Sequence, residues 1–523
     1  MSAITLALLC LFLYHVASRA IQLYKALKSI GFYPGDRWLF SDMRTPMRFI
    51  LPCRIPYVSP GKAAPGQRVY SDYKRHGCDV ISQVSVYPIQ TSFLIADPDI
   101  IHKIASARHL YPKPIDVYEV LNIYGPSILV SEGEEWKRYR KIANPSFSER
   151  NNSLVWEESQ RIMLELLDEE WRGQETVIDE NILITSTSVT LFVISSAVFG
   201  QRISWKDEGL RSAGFDFSFK ETMYHASTHI FAKVGLPEWL LKLGITSKLR
   251  TTYIAFELME RYLLEMVQQR ENAEVKVERH DLLSGLLDAT DEEFSGYRKL
   301  TDREVLSNIF IFLMAGHETT ANTLAFTLIL LALYPEEQKR LYEQCKSVLG
   351  DNEIPKYEDM SSYTYAMAVF YETLRLFPPV SAIPKVAAED SVLYATNAVG
   401  EKIPIVVPKG TDLLLHVMAL HQHPKYWENP TEFQPSRFMK PDWPRDAFIP
   451  FSEGMRSCIG RRFAEVEVVA VLTLLSLKFE IEVKVEPQFA GESFEQRKAR
   501  LLSWDGLLTL TPGKVPLVFH RRK

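Results

Sequence analysis

Phe451-Ser-Glu-Gly-Met-Arg-Ser-Cys-Ile-Gly460 is the stretch on which the reading of this chain turns. Its cysteine, Cys458, stands just ahead of an apolar run with helical periodicity that begins near Arg461. Unpaired backbone N–H groups at a helix start, together with the helix dipole, favour an anion, so the position favours thiolate over thiol. Gly454 and Gly460 let the main chain turn sharply and lie close to a flat ligand. Phe451 offers that ligand a ring, and Arg456 offers a planar fork for a carboxylate. A haem supplies all three partners: iron for the sulfur, a porphyrin face for Phe451 and propionates for Arg456.

The pattern FxxGxRxCxG is highly specific and complete here, and it resembles the haem-binding loop of the cytochrome P450 family. Three more matches, carried by four segments, follow that family's order. Ala315-Gly316-His317-Glu318-Thr319-Thr320 resembles its oxygen-activation segment. The resemblance implies that Gly316 lets the helix kink or widen to leave room for a diatomic molecule. It also implies that Thr319 hydrogen-bonds the distal oxygen and that Glu318 feeds protons from solvent. Taken alone, Glu-Thr-Thr on a helix is more often structural; its place ahead of the cysteine loop gives it weight. Glu372-Thr-Leu-Arg375 sets an acid and a base on one helical face. Phe433-Gln-Pro-Ser-Arg437-Phe438 is similar to the segment whose arginine joins them, so the resemblance implies a buried structural triad of Glu372, Arg375 and Arg437. Ser436 replaces the acid often found before that arginine. Gly133-Glu-Glu-Trp136-Lys-Arg-Tyr-Arg140 spaces Trp136 and Arg140 to share a helix face, and by resemblance both meet the haem propionates. Lys385 sits where the family often has an arginine for the same propionates; it keeps the charge and loses the fork.

Around these motifs, 46% hydrophobic residues over 523 positions supply a large core, and the dispersed prolines and glycines show no repeat. Short strands are expected at Val80–Val86, Thr91–Ile95, Val392–Val407 and Phe479–Val485, with Pro98 opening a helix. Helical periodicity dominates from Trp136 to about Arg270, broken at Pro145, Gly173, Pro237 and Gly244. Thr301-Asp-Arg-Glu304 is a capping box for an apolar helix that stops at Pro335; it is roughly 50 Å long and crosses the whole domain. Further helices are expected near 362–377 and 461–477. The expected fold is mainly α with minor β-sheets: a single large domain, residues 67–523, whose long central helix crosses the haem. Ahead of it, Ala3–Ala17 is almost wholly apolar, short of the ~20 residues that span a bilayer. Extension to Tyr24 reaches a spanning length with Arg19 snorkelling to the interface. Arg19, Lys25 and Lys28 follow the run and no basic residue precedes it. That favours an uncleaved single-pass anchor, residues 1–28, over a cleaved signal or an interfacial helix, and leaves the body in the cytosol. Residues 29–66, with Pro52, Pro56, Pro60, Pro65, Gly61 and Gly66, read as a connector or an ordinary proline-containing loop.

Five scattered cysteines suit a reducing compartment better than a disulfide framework, and a net charge of −5 gives no reason to expect nucleic acid. The resemblance is strongest to eukaryotic, fungal-type microsomal members. It implies the endoplasmic reticulum membrane, haem b with an axial thiolate, O2 as co-substrate, and NADPH electrons through a partner flavoprotein reductase. The chain itself carries no GxGxxG after a strand and no flavin or iron–sulfur cysteine set. Lys137, Arg138, Lys141, Arg461 and Arg462 read equally as a docking surface for that reductase or as a solvated charged face. By family position the substrate pocket draws on Tyr111–Ile128, Phe215–Ile230, Leu313–Thr319, Val380–Ile383 and Trp504–Thr509, with Tyr118, Asn122, Tyr124 and Ser381 as polar anchors. Phe231–Ile245, with Leu236, Trp239, Leu240 and Leu241, reads as a membrane-dipping segment near a substrate entrance. The leading reading is hydroxylation of a lipophilic natural-product skeleton, terpenoid-like, in secondary metabolism, followed by fatty-acid or xenobiotic hydroxylation. An electron-independent haem-thiolate isomerase or dehydratase and a non-catalytic haem sensor are the other classes. The retained Glu318–Thr319 pair and intact cysteine loop speak against the isomerase.

Overall fold

The computed structural model describes residues 3–40, 54–60, 69–203, 205, 215–272, 281–291, 299–396, 400–506 and 508–523. Helix α1 (Ala3–Ser29) has no fully buried residue; its N-terminal half exposes Leu6, Leu8, Leu11, Phe12 and Leu13, while Leu23, Ala26 and Leu27 pack partly against the core. It is long and apolar enough to cross a membrane. Arg19 lies over the Tyr87 ring at 4.9 Å, and His15 Nε2 is 2.6 Å from the Tyr87 hydroxyl. The helix is therefore tied to the body part-way along its length.

Strand β1 (Gly35–Phe40) pairs in parallel with β2 (Val80–Tyr87), which corrects the reading of 29–66 as connector throughout. Ile30, Tyr33 and Trp38 are buried, and removing those side chains from water draws the segment onto the sheet. Residues 54–60 form a turn closed by a bridge between Ile55 and Ser59. Pro52, Gly61, Pro65 and Gly66 lie outside the described residues. Strand β3 (Gln90–Ile95) follows β2 as an antiparallel hairpin, and Pro98 does open a helix, α2 (Pro98–Ser106), capped by the Asp97 carboxylate on the Ile100 N–H.

The helical body contains α3 (Gly133–Ala143), α4 (Ile182–Phe199), the long α5 (Asp302–Leu333) and α6 (Thr364–Leu376). The capping box that starts α5 is present in full: Thr301 Oγ1 accepts from the Glu304 N–H, and Glu304 Oε2 accepts from the Thr301 N–H. The sheet is completed by β4 (Ile383–Val386) and β5 (Asp412–Leu415), giving the order β1-β2-β3-β5-β4. Helix α7 (Arg461–Lys478) follows the cysteine loop, and a late hairpin pairs β6 (Trp504–Gly506) with β7 (Leu510–Pro512). The chain is thus mainly helical, with small sheets at its edges, and α5 runs through its core.

Candidate active site

The loop before α7 is held by its own main chain: the Cys458 N–H donates to the Phe451 carbonyl at 2.8 Å, and Arg140 Nη1 donates to the Ser457 carbonyl at 2.9 Å. Cys458 is accessible by area although protein surrounds it in depth, so its sulfur borders open space inside the molecule. Burial raises the thiol above its ordinary value, while the Gly460 N–H, Arg140 and Arg461 pull it down without cancelling that rise. The helix start and the two arginines favour the thiolate, burial opposes it, and a cation on the sulfur would add to the former. Gly454, at φ +70°, makes the sharp turn expected of it, and a Cβ there would stand 2.7 Å from the Ala105 carbonyl oxygen of α2. Gly460 has an ordinary φ of −89°, and a Cβ would meet the Phe147 ring at 3.7 Å. The Phe451 ring lies 6.4 Å from that of Phe370 and 5.5 Å from the Arg461 guanidinium.

Trp136 is buried with two guanidiniums over its ring, Arg456 at 4.3 Å and Arg108 at 4.8 Å. Arg456 also bonds Glu132 at 2.9 Å and the Ser131 and Ile128 carbonyls, so most of its fork is spent within the protein. Its Nε and Arg108 Nη1 remain buried without a hydrogen-bond partner. Lys385, buried on β4, and Lys113 complete the cluster: burial and Arg456 lower both, and Glu132 alone opposes. Lys113 is brought down to about 7. Four cations thus share one carboxylate. Arg140, one helical turn from Trp136, reaches the cysteine loop through one N–H, on the Ser457 carbonyl. Arg108 and Lys113 carried no local sequence signal; only the fold brings them to Trp136.

On α5, buried residues run from Glu304 to Met314 and again from Thr320 to Leu331, while Ala315, Gly316, Glu318 and Thr319 between them are accessible. A helix this deep opens at one turn only where it borders a cavity. The helix is unbroken there. A Cβ on Gly316 would lie 2.1 Å from Ile194 Cδ1, so the glycine lets α4 approach closely, and Ala315 takes the exposed position. Thr319 Oγ1 donates to the Ala315 carbonyl at 2.9 Å, and Thr190 of α4 donates to the His317 carbonyl at 3.0 Å. Glu318 Oε1 accepts from Thr509 Oγ1 at 2.6 Å, and burial raises its pKa against that bond. Phe147 links this helix to the cysteine loop, with its ring 5.8 Å from that of Phe312 and also against Gly460.

A family model described as cytochrome P450 matches residues 69–499. The chain belongs to the cytochrome P450 family. It is 47% identical to cytochrome P450 monooxygenase 124 of Postia placenta over 99% of this chain and 100% of that one. It is 29% identical to ganoderic acid synthetase CYP5150L8 of Ganoderma lucidum, covering 76% and 80% of the two chains. The crystal structure of the cytochrome P450DA haem domain shares the fold, with a TM-score of 0.70 at 24% identity over 87% of this chain and 92% of that one. The chain is accordingly a cytochrome P450 monooxygenase, a family whose members use haem-thiolate and O2.

The residues present fit that group. The Cys458 sulfur, accessible by area though deep in the protein, is suited to bind a cation, and the cluster at Trp136 has an excess of positive charge and two buried N–H donors that, among the described residues, have no partner and suit paired carboxylates. The P450 triad is assembled as expected: Glu372 binds Arg375 at 2.7 and 2.8 Å and Arg437 at 3.2 Å. The remaining Arg375 donors go to the carbonyls of His421, Pro430 and Glu432. Arg138 leaves the basic surface, since it is buried against Glu304 with Tyr139, whereas Lys141, Arg461 and Arg462 stay exposed and Lys137 is half-buried. Of the expected polar anchors, Tyr124 donates to the Phe256 carbonyl, while Asn122 donates to Glu119 and keeps a buried Oδ1 that has no hydrogen-bond partner among the described residues. Tyr118 lies beneath Lys113, 4.0 Å from its ammonium. In the segment expected at the membrane, Leu241 points inward, while Val234, Trp239, Leu243 and Ile245 are exposed.

Proposed function

We propose that this P450 inserts one atom of O2 into a small lipophilic molecule, with Cys458 as the residue that would hold the iron of haem b and NADPH electrons delivered by a separate flavoprotein reductase. The observation that carries the reading is the accessible turn Ala315–Thr319 in an otherwise buried helix, set in a molecule whose Cys458 also borders interior space. When bound, haem supplies the activation of O2 that attack on an unactivated C–H bond requires. The chain does the rest. Arg108, Arg456, Lys385 and Lys113 would hold the propionates by charge and by the idle N–H groups, with Trp136 fixing the two guanidiniums. The Gly460 N–H, Arg140 and Arg461 favour the sulfur anion. Thr319 Oγ1, steadied on the Ala315 carbonyl, hands on a proton, and Glu318 is the acid that supplies it. Glu372, Arg375 and Arg437 brace the haem-side core.

A terpenoid-like natural-product skeleton is the proposed substrate class, supported by the apolar pocket segments and by a relative named for the synthesis of ganoderic acid. α1 serves as the anchor in the endoplasmic reticulum membrane, with the body from β1 onward as one cytosolic domain. Lys137, Lys141, Arg461 and Arg462 form the surface for an acidic reductase. The test is incubation of membranes holding the enzyme and a reductase with terpenes, fatty acids and aromatics. Mass spectrometry should find an NADPH-dependent terpene product one oxygen heavier. A haem-loaded, reducible enzyme that yields no oxygenated product would return the electron-independent isomerase to the front.

A further inference from the structure

Glu318 and Thr319 are neighbours on α5, yet they are engaged with different partners. Thr319 bonds its own helix, while Glu318 Oε1 accepts from Thr509, a buried residue between β6 and β7. Asn322, one turn beyond Glu318 and itself buried, donates through Nδ2 to Thr509 Oγ1 at 3.0 Å and to Thr511 Oγ1 at 3.2 Å. An amide nitrogen only donates. Thr509 Oγ1 therefore accepts from Asn322, and its single hydrogen is left for Glu318. The chain of bonds has a direction, and it ends on the carboxylate as acceptor, the role an ionised acid fills.

The surroundings leave this bond without electrostatic competition. Across the interface α4 presents Thr190 and Ile194, which carry no charge. On α5, buried His317 donates through Nδ1 to the Leu313 carbonyl and is held neutral, with its pKa at about 4. On the hairpin, Asp505 pairs across from Thr511 but is exposed. Among the described residues, burial alone raises Glu318 and the Thr509 bond alone lowers it.

We propose that Thr509, itself oriented by Asn322, is the positioning residue for Glu318. Its hydroxyl ties the acid of the acid–alcohol pair to the β6–β7 hairpin and fixes one of its carboxyl oxygens as a hydrogen-bond acceptor. This rests on the reading of Glu318 as proton source, but its test is separate. Infrared difference spectra of the resting haem-loaded protein, taken between roughly pH 4 and 9, follow the Glu318 carboxyl band, which Glu318→Gln identifies by deleting it. Thr509→Val should move the midpoint of that band up by about one pH unit, tenfold in proton affinity, since burial is then unopposed. Thr509→Ser should restore the parent midpoint, and Asn322→Ala should shift it upward by less. A Thr509→Val protein that titrates like the parent would overturn the proposal. Should that variant not fold, an unmoved midpoint in Asn322→Ala does the same. Product formed per NADPH in Glu318→Gln tests the proton-source reading on its own: unchanged coupling would remove Glu318 from the reaction, while the titration still decides the clamp.

Discussion

Two charged clusters lie buried in this P450, and they are built on opposite principles. Around Glu372 every account is closed: one acid serves two arginines, and each Arg375 N–H ends on an oxygen. Around Trp136 four cations share Glu132, and buried N–H groups of Arg108 and Arg456 have no partner. A closed cluster can only lock the fold, because removing any member strands the others in low dielectric. An open one is costly as it stands and gains from an anion that arrives later. The difference separates scaffold from site without reference to activity.

That separation can be broken in four ways. Glu372→Ala leaves two arginines buried without their acid, at a cost of ~3–5 kcal/mol out of a total near 5–15. Little folded protein should be recovered, and a urea midpoint close to the parent would show the triad to be dispensable. Cys458→Ala should leave a folded chain while abolishing the thiolate-type spectrum of the reduced carbon monoxide complex, and turnover with it; persistence of that spectrum refutes the ligand assignment. Arg108→Leu should lower haem retention several-fold yet leave the haem-free chain as stable as the parent or more so, because one of four like charges is gone. A loss of stability on the scale of Glu372→Ala would erase the distinction between the clusters. The smallest effect is a slope. Lys113 titrates at about 7 in the fold and near ~10.4 when unfolded, so between these values the unfolded chain binds the extra proton. The penalty is full below the lower value and fades above it. Stability of the haem-free chain should therefore rise from pH 7 toward ~10, and Lys113→Met should flatten that rise.

Local patterns read well. The capping box at Thr301 and the stop at Pro335 bound α5 within a residue or two, since caps are settled by atoms a few positions apart. Glu372 and Arg375 were legible for the same reason, as i, i+3 neighbours. What was misread depended on distant chain. Gly35–Phe40 became a strand only because Val80–Tyr87 offered an edge. The strand Leu517–Arg521 pairs with Phe479–Val483 on one side and Thr176–Asp179 on the other, partners far away in sequence, and was not anticipated. Arg138 looked like surface charge until Glu304, from the start of α5, was found against it.

The sequence by itself determined the family, the cysteine and its loop, the long helix with its acid–alcohol pair, and the triad. Each of these is written in closely spaced residues whose chemistry is incomplete without haem or a helix. Only the tertiary structure decided which cations join Trp136, why Gly316 and Gly454 must be glycine, and where Glu318 is tied. Those outcomes are set by the close approach of segments remote in the chain, Ile194 to Gly316, Ala105 to Gly454 and Thr509 to Glu318. Contacts of that kind depend on how whole elements pack, which no spacing along one segment encodes.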